Sequence, residues 1–72
     1  GESKEINIGN GVWVGASSTI LSGVSIGEKS MIAAGSVVNS DIPDNVIAAG
    51  VPCRPIKKWS EQSGGWERVN YE

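Results

Sequence analysis

Residues 8–43 read IGNGVW VGASST ILSGVS IGEKSM IAAGSV VNSDIP, six blocks of six that each open on a β-branched aliphatic. The column is Ile8, Val14, Ile20, Ile26, Ile32 and Val38. Ile and Val supply 16 of the 72 residues, so six matches in six positions would arise by chance roughly once in ten thousand for a given phase. Other columns are restricted too. Position two holds Gly9, Gly15, Gly27 and Ala33, with Leu21 and Asn39 departing, and position five is small or β-branched throughout.

A period of six is neither the 3.6 of a helix nor the alternation of a plain strand, so one amphipathic helix is excluded. Brief β-branched segments separated by glycine-bearing turns predict an all-β solenoid, a parallel β-helix in which three blocks close one turn of a triangular prism. The chain then returns after eighteen residues, one strand spacing of about 4.8 Å further along the axis. Ile8 is expected to stack on Ile26, Val14 on Ile32 and Ile20 on Val38. The same offset places Gly9 under Gly27, Gly15 under Ala33, Ser18 under Ser36 and Val24 under Ile42. A Gly-rich hairpin meander leaves the six-residue register unexplained.

The pattern breaks at DIPDN, residues 41–45, where Pro43 has no amide hydrogen to donate to a ladder. Residues 46–49 read as one more short strand. Gly50, Pro52 and Pro55 then predict a turning path, and the segments around Gly64 and Gly65 a C-terminal arm or hairpin anchored by Trp59 and Trp66, with a helical turn over KKWSEQ as the alternative. The organisation expected is a polar lead-in over 1–5, about two eighteen-residue coils and a further short strand over 6–51, and a basic segment and arm over 52–72.

At this length one core seldom supplies more than about 3 to 5 kcal/mol without staples or partners. The single cysteine, Cys53, cannot form an internal disulfide, and with no histidine the chain offers no ordinary zinc or imidazole site; no metal is expected. A net charge of −2 argues against nucleic-acid binding driven by phosphate neutralisation. No apolar run reaches the roughly 20 residues of a membrane span, and no secretion signal opens the chain. The expectation is a soluble protein of a reducing, cytoplasmic compartment, or a piece of one.

The six blocks together with DIPDNVIAAGVPCRPIKKW resemble the C-terminal end of hexapeptide-repeat acyltransferases, close to the maltose and galactoside type. The SEQSGGWERV tail is similar to that of polysaccharide O-acetyltransferases. The resemblance implies a left-handed β-helix assembled as a homotrimer, with acetyl-CoA bound between neighbouring prisms. A histidine of an earlier coil would serve as general base on a sugar or glycan hydroxyl that attacks the thioester directly. This chain has no histidine, and two coils are fewer than stacked repeats generally need. It is therefore expected to be the CoA-binding C-terminal portion of such an enzyme, a fragment or truncated product that lacks the catalytic group. Acceptor selectivity in that family lies mostly outside these residues.

CRPIKK holds Arg54, Lys57 and Lys58, half of the cations of the chain, and all three are expected to help dock a polyanionic cofactor there. By the resemblance, Arg54 and Lys57 meet CoA phosphates, where a guanidinium grips in bidentate fashion and a lysine acts as a point charge; a solvated basic patch is the plainer reading. Trp13 offers a flat apolar face to a pantetheine arm or to a subunit contact. Ala16, Ala33, Ala34, Gly35 and Ser36 match turn positions whose backbone faces the cofactor in relatives, although tight corners require small residues in any case. Asn39 falls near the adenosine end. Cys53, beside Arg54, reads as a packing residue before a nucleophile. The scattered carboxylates form no acid and base pair.

Two other functions compete. A non-catalytic, oligomerising β-helix fragment would assemble without binding CoA. A γ-type carbonic anhydrase shares the winding but builds its zinc site from three histidines, all absent here.

Overall fold

A computed structural model describes residues 4–70. The first three residues of the expected lead-in and the last two of the expected arm lie outside them. Nine strands make up the regular structure among the described residues: β1 (Asn7–Ile8), β2 (Trp13–Val14), β3 (Thr19–Ile20), β4 (Ser25–Ile26), β5 (Met31–Ile32), β6 (Val37–Val38), β7 (Val46–Gly50), β8 (Cys53–Ser60) and β9 (Gly65–Arg68).

The stacking expected from the six-residue period is the stacking found. Ile8 lies opposite Ile26, Val14 opposite Ile32 and Ile20 opposite Val38, each in a parallel pair eighteen residues apart. Amides of one turn donate to carbonyls of the next, as from Gly9 to Ile26 (2.8 Å) and from Gly15 to Ile32 (2.7 Å). Short strands on three sides, each paired in parallel with its counterpart one turn away, make a parallel β-helix.

The offset then shortens. Ile42 bridges Ile26 and Ala48 pairs with Ile32, so both contacts span sixteen residues. Ile42 therefore sits over Ile26 and not over Val24, as the uniform period had predicted. Two residues are missing from the corner between Val38 and Ile42, and side chains take over part of its bonding. Asp41 accepts the Ser25 amide (2.9 Å) and Asp44 the Glu28 amide (2.8 Å) through their carboxylates. Ser30, fully buried, donates to the Pro43 carbonyl (2.6 Å) and accepts the Val46 amide (3.2 Å).

After β7 the chain reverses through a cis Val51–Pro52 peptide, and the ladder becomes antiparallel. β8 pairs with β7 and then with β9, completing a five-stranded sheet in the order β2-β5-β7-β8-β9. KKWSEQ thus begins in a strand and not in a helical turn. The core collects Val24, Ile26, Ile32, Val38, Ile42, Val46, Ala48 and Cys53, all buried. Ile8 and Val14, at the other end of the same column, are half-exposed or nearly so.

Two glycines illustrate different demands of the corner. A Cβ on Gly15 would run into the Ala34 backbone of the next turn, whereas one on Gly35 would meet nothing within 4 Å. Gly35 instead has φ +74, and Gly11, Ser17, Gly23 and Lys29 have similar positive values (61 to 83), one residue in each of the first five blocks. Gly15→Ala is expected to cost about 1–3 kcal/mol through forced backbone movement. Gly35→Ala should cost about 1 kcal/mol through its dihedral alone, and Gly35→Asn less, because asparagine tolerates that region. Urea unfolding of the three variants would show whether the order holds.

Cys53 is fully buried. Burial pushes its thiol up from the ordinary value, offset in part by a hydrogen bond with Ser36 and by the nearby Arg54 guanidinium. Below about pH 9 the thiol is protonated in folded and unfolded chains alike, so its contribution is constant. Above that the unfolded chain ionises first, and stability falls as pH rises towards the folded value. Wild type should therefore lose more stability than Cys53→Ala between neutral pH and roughly pH 10, and a thiol reagent should label Cys53 only after denaturant is added.

Candidate functional site

Residues directly opposed in a sheet project from the same face. Following the register across the five-stranded sheet therefore gives one continuous outward row: Trp13, Met31, Ile47, Lys57 and Arg68. The row inside it runs Val14, Ile32, Ala48 and Pro55 and closes the core. The outward row begins apolar, with Trp13 64% exposed, and ends cationic. Three strand spacings separate Trp13 from Lys57, about 14 Å, so anything touching both must be long.

The cluster CRPIKK is divided by this geometry. Arg54 pairs with Ala49 and Lys57 with Ile47, at outward positions of β7. Lys58 pairs with the buried Val46 and with Glu67, so it occupies the opposite face across from a carboxylate. Its place is taken by Arg68, which the sequence reading passed over. Arg68 stands directly across from Lys57, and these two with Ile56 and Val69 line a cleft of about 320 Å³. Two cations opposed in a ladder repel each other, and their register supplies no carboxylate between them. The signal for Arg68 was present in the sequence: once Trp59 is set opposite Trp66, counting two back and two forward reaches Lys57 and Arg68.

The small-residue corner is also resolved into distinct roles. Ala33 spends its amide on the Ala48 carbonyl (2.9 Å), and its own carbonyl accepts the hydroxyls of Ser18 (3.0 Å) and Ser36 (2.7 Å). Ser36 is buried and also accepts the Gly50 amide (3.2 Å), so its hydroxyl is committed to the fold. Gly35 gives its amide to the Ala16 carbonyl (2.9 Å), stacking two corners. Ala34 is exposed and makes no hydrogen bond within the described residues, which leaves its amide and carbonyl open to a ligand.

Arg54 links this corner to the next one. Its Nη1 donates to the Cys53 carbonyl (3.3 Å) and, at 3.4 Å, to the Ser40 hydroxyl. Asn39, next to Ser40 in the chain, is exposed. Trp13 stands apart, at the far edge of the sheet. Among the described residues no group of three or more His, Cys, Asp or Glu side chains could hold a metal ion, and no helix is long and apolar enough to cross a membrane.

Comparison with known proteins places this geometry in context. The family of bacterial transferase hexapeptide proteins (six repeats) matches residues 5–40. Galactoside O-acetyltransferase of Escherichia coli K12 is 54% identical over 70 residues, which are 97% of this chain and 34% of that protein. A galactoside acetyltransferase solved in complex with coenzyme A superposes with a TM-score of 0.78 at 46% identity, covering 96% of this chain and 34% of the other. A hexapeptide-repeat acetyltransferase of Vibrio cholerae complexed with acetyl coenzyme A gives a TM-score of 0.78 at 40% identity, covering 81% and 32%. The chain thus spans about a third of the length of the relatives it matches. The repeat match, the all-strand structure and these neighbours together make it a member of the hexapeptide-repeat acyltransferase family, with the left-handed β-helix that membership implies.

Proposed function

We propose that this chain is the CoA-binding, C-terminal portion of an acetyl-CoA-dependent O-acetyltransferase that acts on a sugar or glycan hydroxyl. The observation that carries the reading is the outward row of the five-stranded sheet, apolar at Trp13 and cationic at Lys57 and Arg68, with Arg54 on the same side. A ligand with an apolar arm and a phosphorylated end, longer than about 14 Å, matches that row in length and polarity. Relatives solved with coenzyme A and acetyl coenzyme A support the choice of ligand.

In this reading Arg54 and Lys57 hold phosphates, and Arg68 adds a third cation. The open backbone of Ala34 and the corner formed by Ala16, Ala33, Gly35 and Ser36 lie along the pantetheine path, with Asn39 near the adenosine. Lys58 contributes only long-range charge. The acceptor oxygen attacks the thioester carbonyl carbon while a general base takes its proton. The C–S bond then breaks, the acetyl group stays on the acceptor as an ester, and the base returns the proton to the departing CoA sulfur. The base comes from outside these 72 residues, which contain no histidine. The organisation proposed is two eighteen-residue coils and a shortened strand over 6–51, followed by an arm over 52–72. The half-exposed Ile8 and exposed Leu21 suit the stacking of a further coil. A homotrimer and a cytoplasmic setting complete the proposal.

The exposed Trp13, Met31 and Val51 give weight to a second reading, a β-helix that only assembles. Calorimetric titration with CoA separates the two. The first reading expects saturable binding by the assembled particle, weakened roughly tenfold by Arg54→Ala and little changed by Lys58→Ala. A stable trimer with no CoA affinity would leave only the second.

A further inference from the structure

Beyond the outward row, a second cleft of about 290 Å³ lies where the β8–β9 hairpin meets two corners of the prism, lined by Lys29, Asn45, Trp59, Glu61 and Trp66. Trp59 and Trp66 are directly opposed, with ring centroids 5.5 Å apart and an interplanar angle of 78°, and each stays 39% exposed. An edge-to-face pair fixes one ring against the other and leaves ring surface available to a ligand.

The polar members are held from below. Lys29 and Asn45 sit at left-handed corner positions, with φ 61 and 54. Their amides are anchored to the Asn10 and Glu28 carbonyls (2.9 Å each), and the Asn45 carbonyl accepts the Trp59 amide (2.9 Å). The side chains of Lys29, Asn45 and Glu61 have no hydrogen-bond or ion-pair partner among the described residues. An ammonium, an amide and a carboxylate thus belong to residues that line the cleft beside the tryptophans, and none of the three is committed within the fold.

We propose that this cleft binds a single neutral pyranose unit. A pyranose ring has one apolar C–H face, which suits an indole, and a rim of hydroxyls that both donate and accept. The amide of Asn45 can do both, the Lys29 ammonium donates and the Glu61 carboxylate accepts. The charges of Lys29 and Glu61 offset each other, so the lining selects neither anion nor cation. A phosphate would face Glu61. A quaternary ammonium, the usual guest of an aromatic cage, would face Lys29. The volume lies at the lower edge of small-molecule sites and suits one ring, not a protein surface. The site stands independently of the CoA reading, because it shares no residue with the outward row.

The three indole N–H resonances of the full chain provide the test. Titration with methyl α-glucopyranoside, α-galactopyranoside and α-mannopyranoside, each up to about 50 mM as befits a weak single-ring ligand, should move Trp59 and Trp66 along one shared saturation curve for at least one sugar. Trp13 should stay in place, and tetramethylammonium should produce no saturable shift. Lys29→Gly, which installs the residue other corners use, and Glu61→Gln, on the exposed turn, should each weaken binding roughly five- to tenfold while the far-ultraviolet spectrum is unchanged. Trp66→Ala should abolish binding; if it unfolds the hairpin, the two polar variants decide the matter. Linear shifts for every sugar, an equal response at Trp13, tighter binding of tetramethylammonium, or full affinity in both polar variants would overturn the proposal.

Discussion

Successive turns of this chain lie one strand spacing apart, about 4.8 Å, and backbone must pass over backbone at every corner. Where the passage is tight, at Gly15 beneath Ala34 and at Gly27 beneath Asp44, a single Cβ has no room. Once the passage is made, each turn supplies hydrogen-bond partners to the next, and the buried column from Ile26 through Ile32 to Val38 follows from the same repeat. Polar residues inside the prism obey it too. Ser30 and Ser36 are buried because each hydroxyl both donates and accepts, tying a corner to the turn above.

That stacking also sorts charge. A strand alternates its side chains between faces, so neighbours in sequence are separated in space and distant residues meet. Lys57 and Lys58, adjacent in the chain, go to opposite faces, while Arg68 joins Lys57 from eleven residues away. The chain is acidic overall, yet one face of one sheet is locally basic. Net charge therefore says little about the partner of a β-helix, and register says a good deal.

Much of the fold was legible because a β-helix repeats its local rule. The column at Ile8, Val14 and Ile20 identified its own partners eighteen residues on, since like residues stack where the offset is uniform. The prediction failed for Ile42, where two residues are absent from a corner and the carboxylates of Asp41 and Asp44 supply acceptors that a repeat pattern does not reveal. At the candidate site the sequence located the basic segment and the small corner. It could not say that the Ser36 hydroxyl is consumed internally or that Lys58 faces away, because both depend on pairing with strands formed elsewhere in the chain.

The change from parallel to antiparallel pairing at β7 and β8 gives the solenoid a direction. A row of open amides and carbonyls invites the next strand, and β8 fills that row on β7 with the chain running the wrong way to continue the coil. A bulge at Ile47 and Ala48 and the charged pair of residues Glu67 and Arg68 on the outermost strand further discourage addition there. Growth is thus blocked on this side of the prism. Anyone lengthening this molecule by design would have to insert eighteen-residue turns upstream of the shortened corner, and the number of turns could change without disturbing the stop.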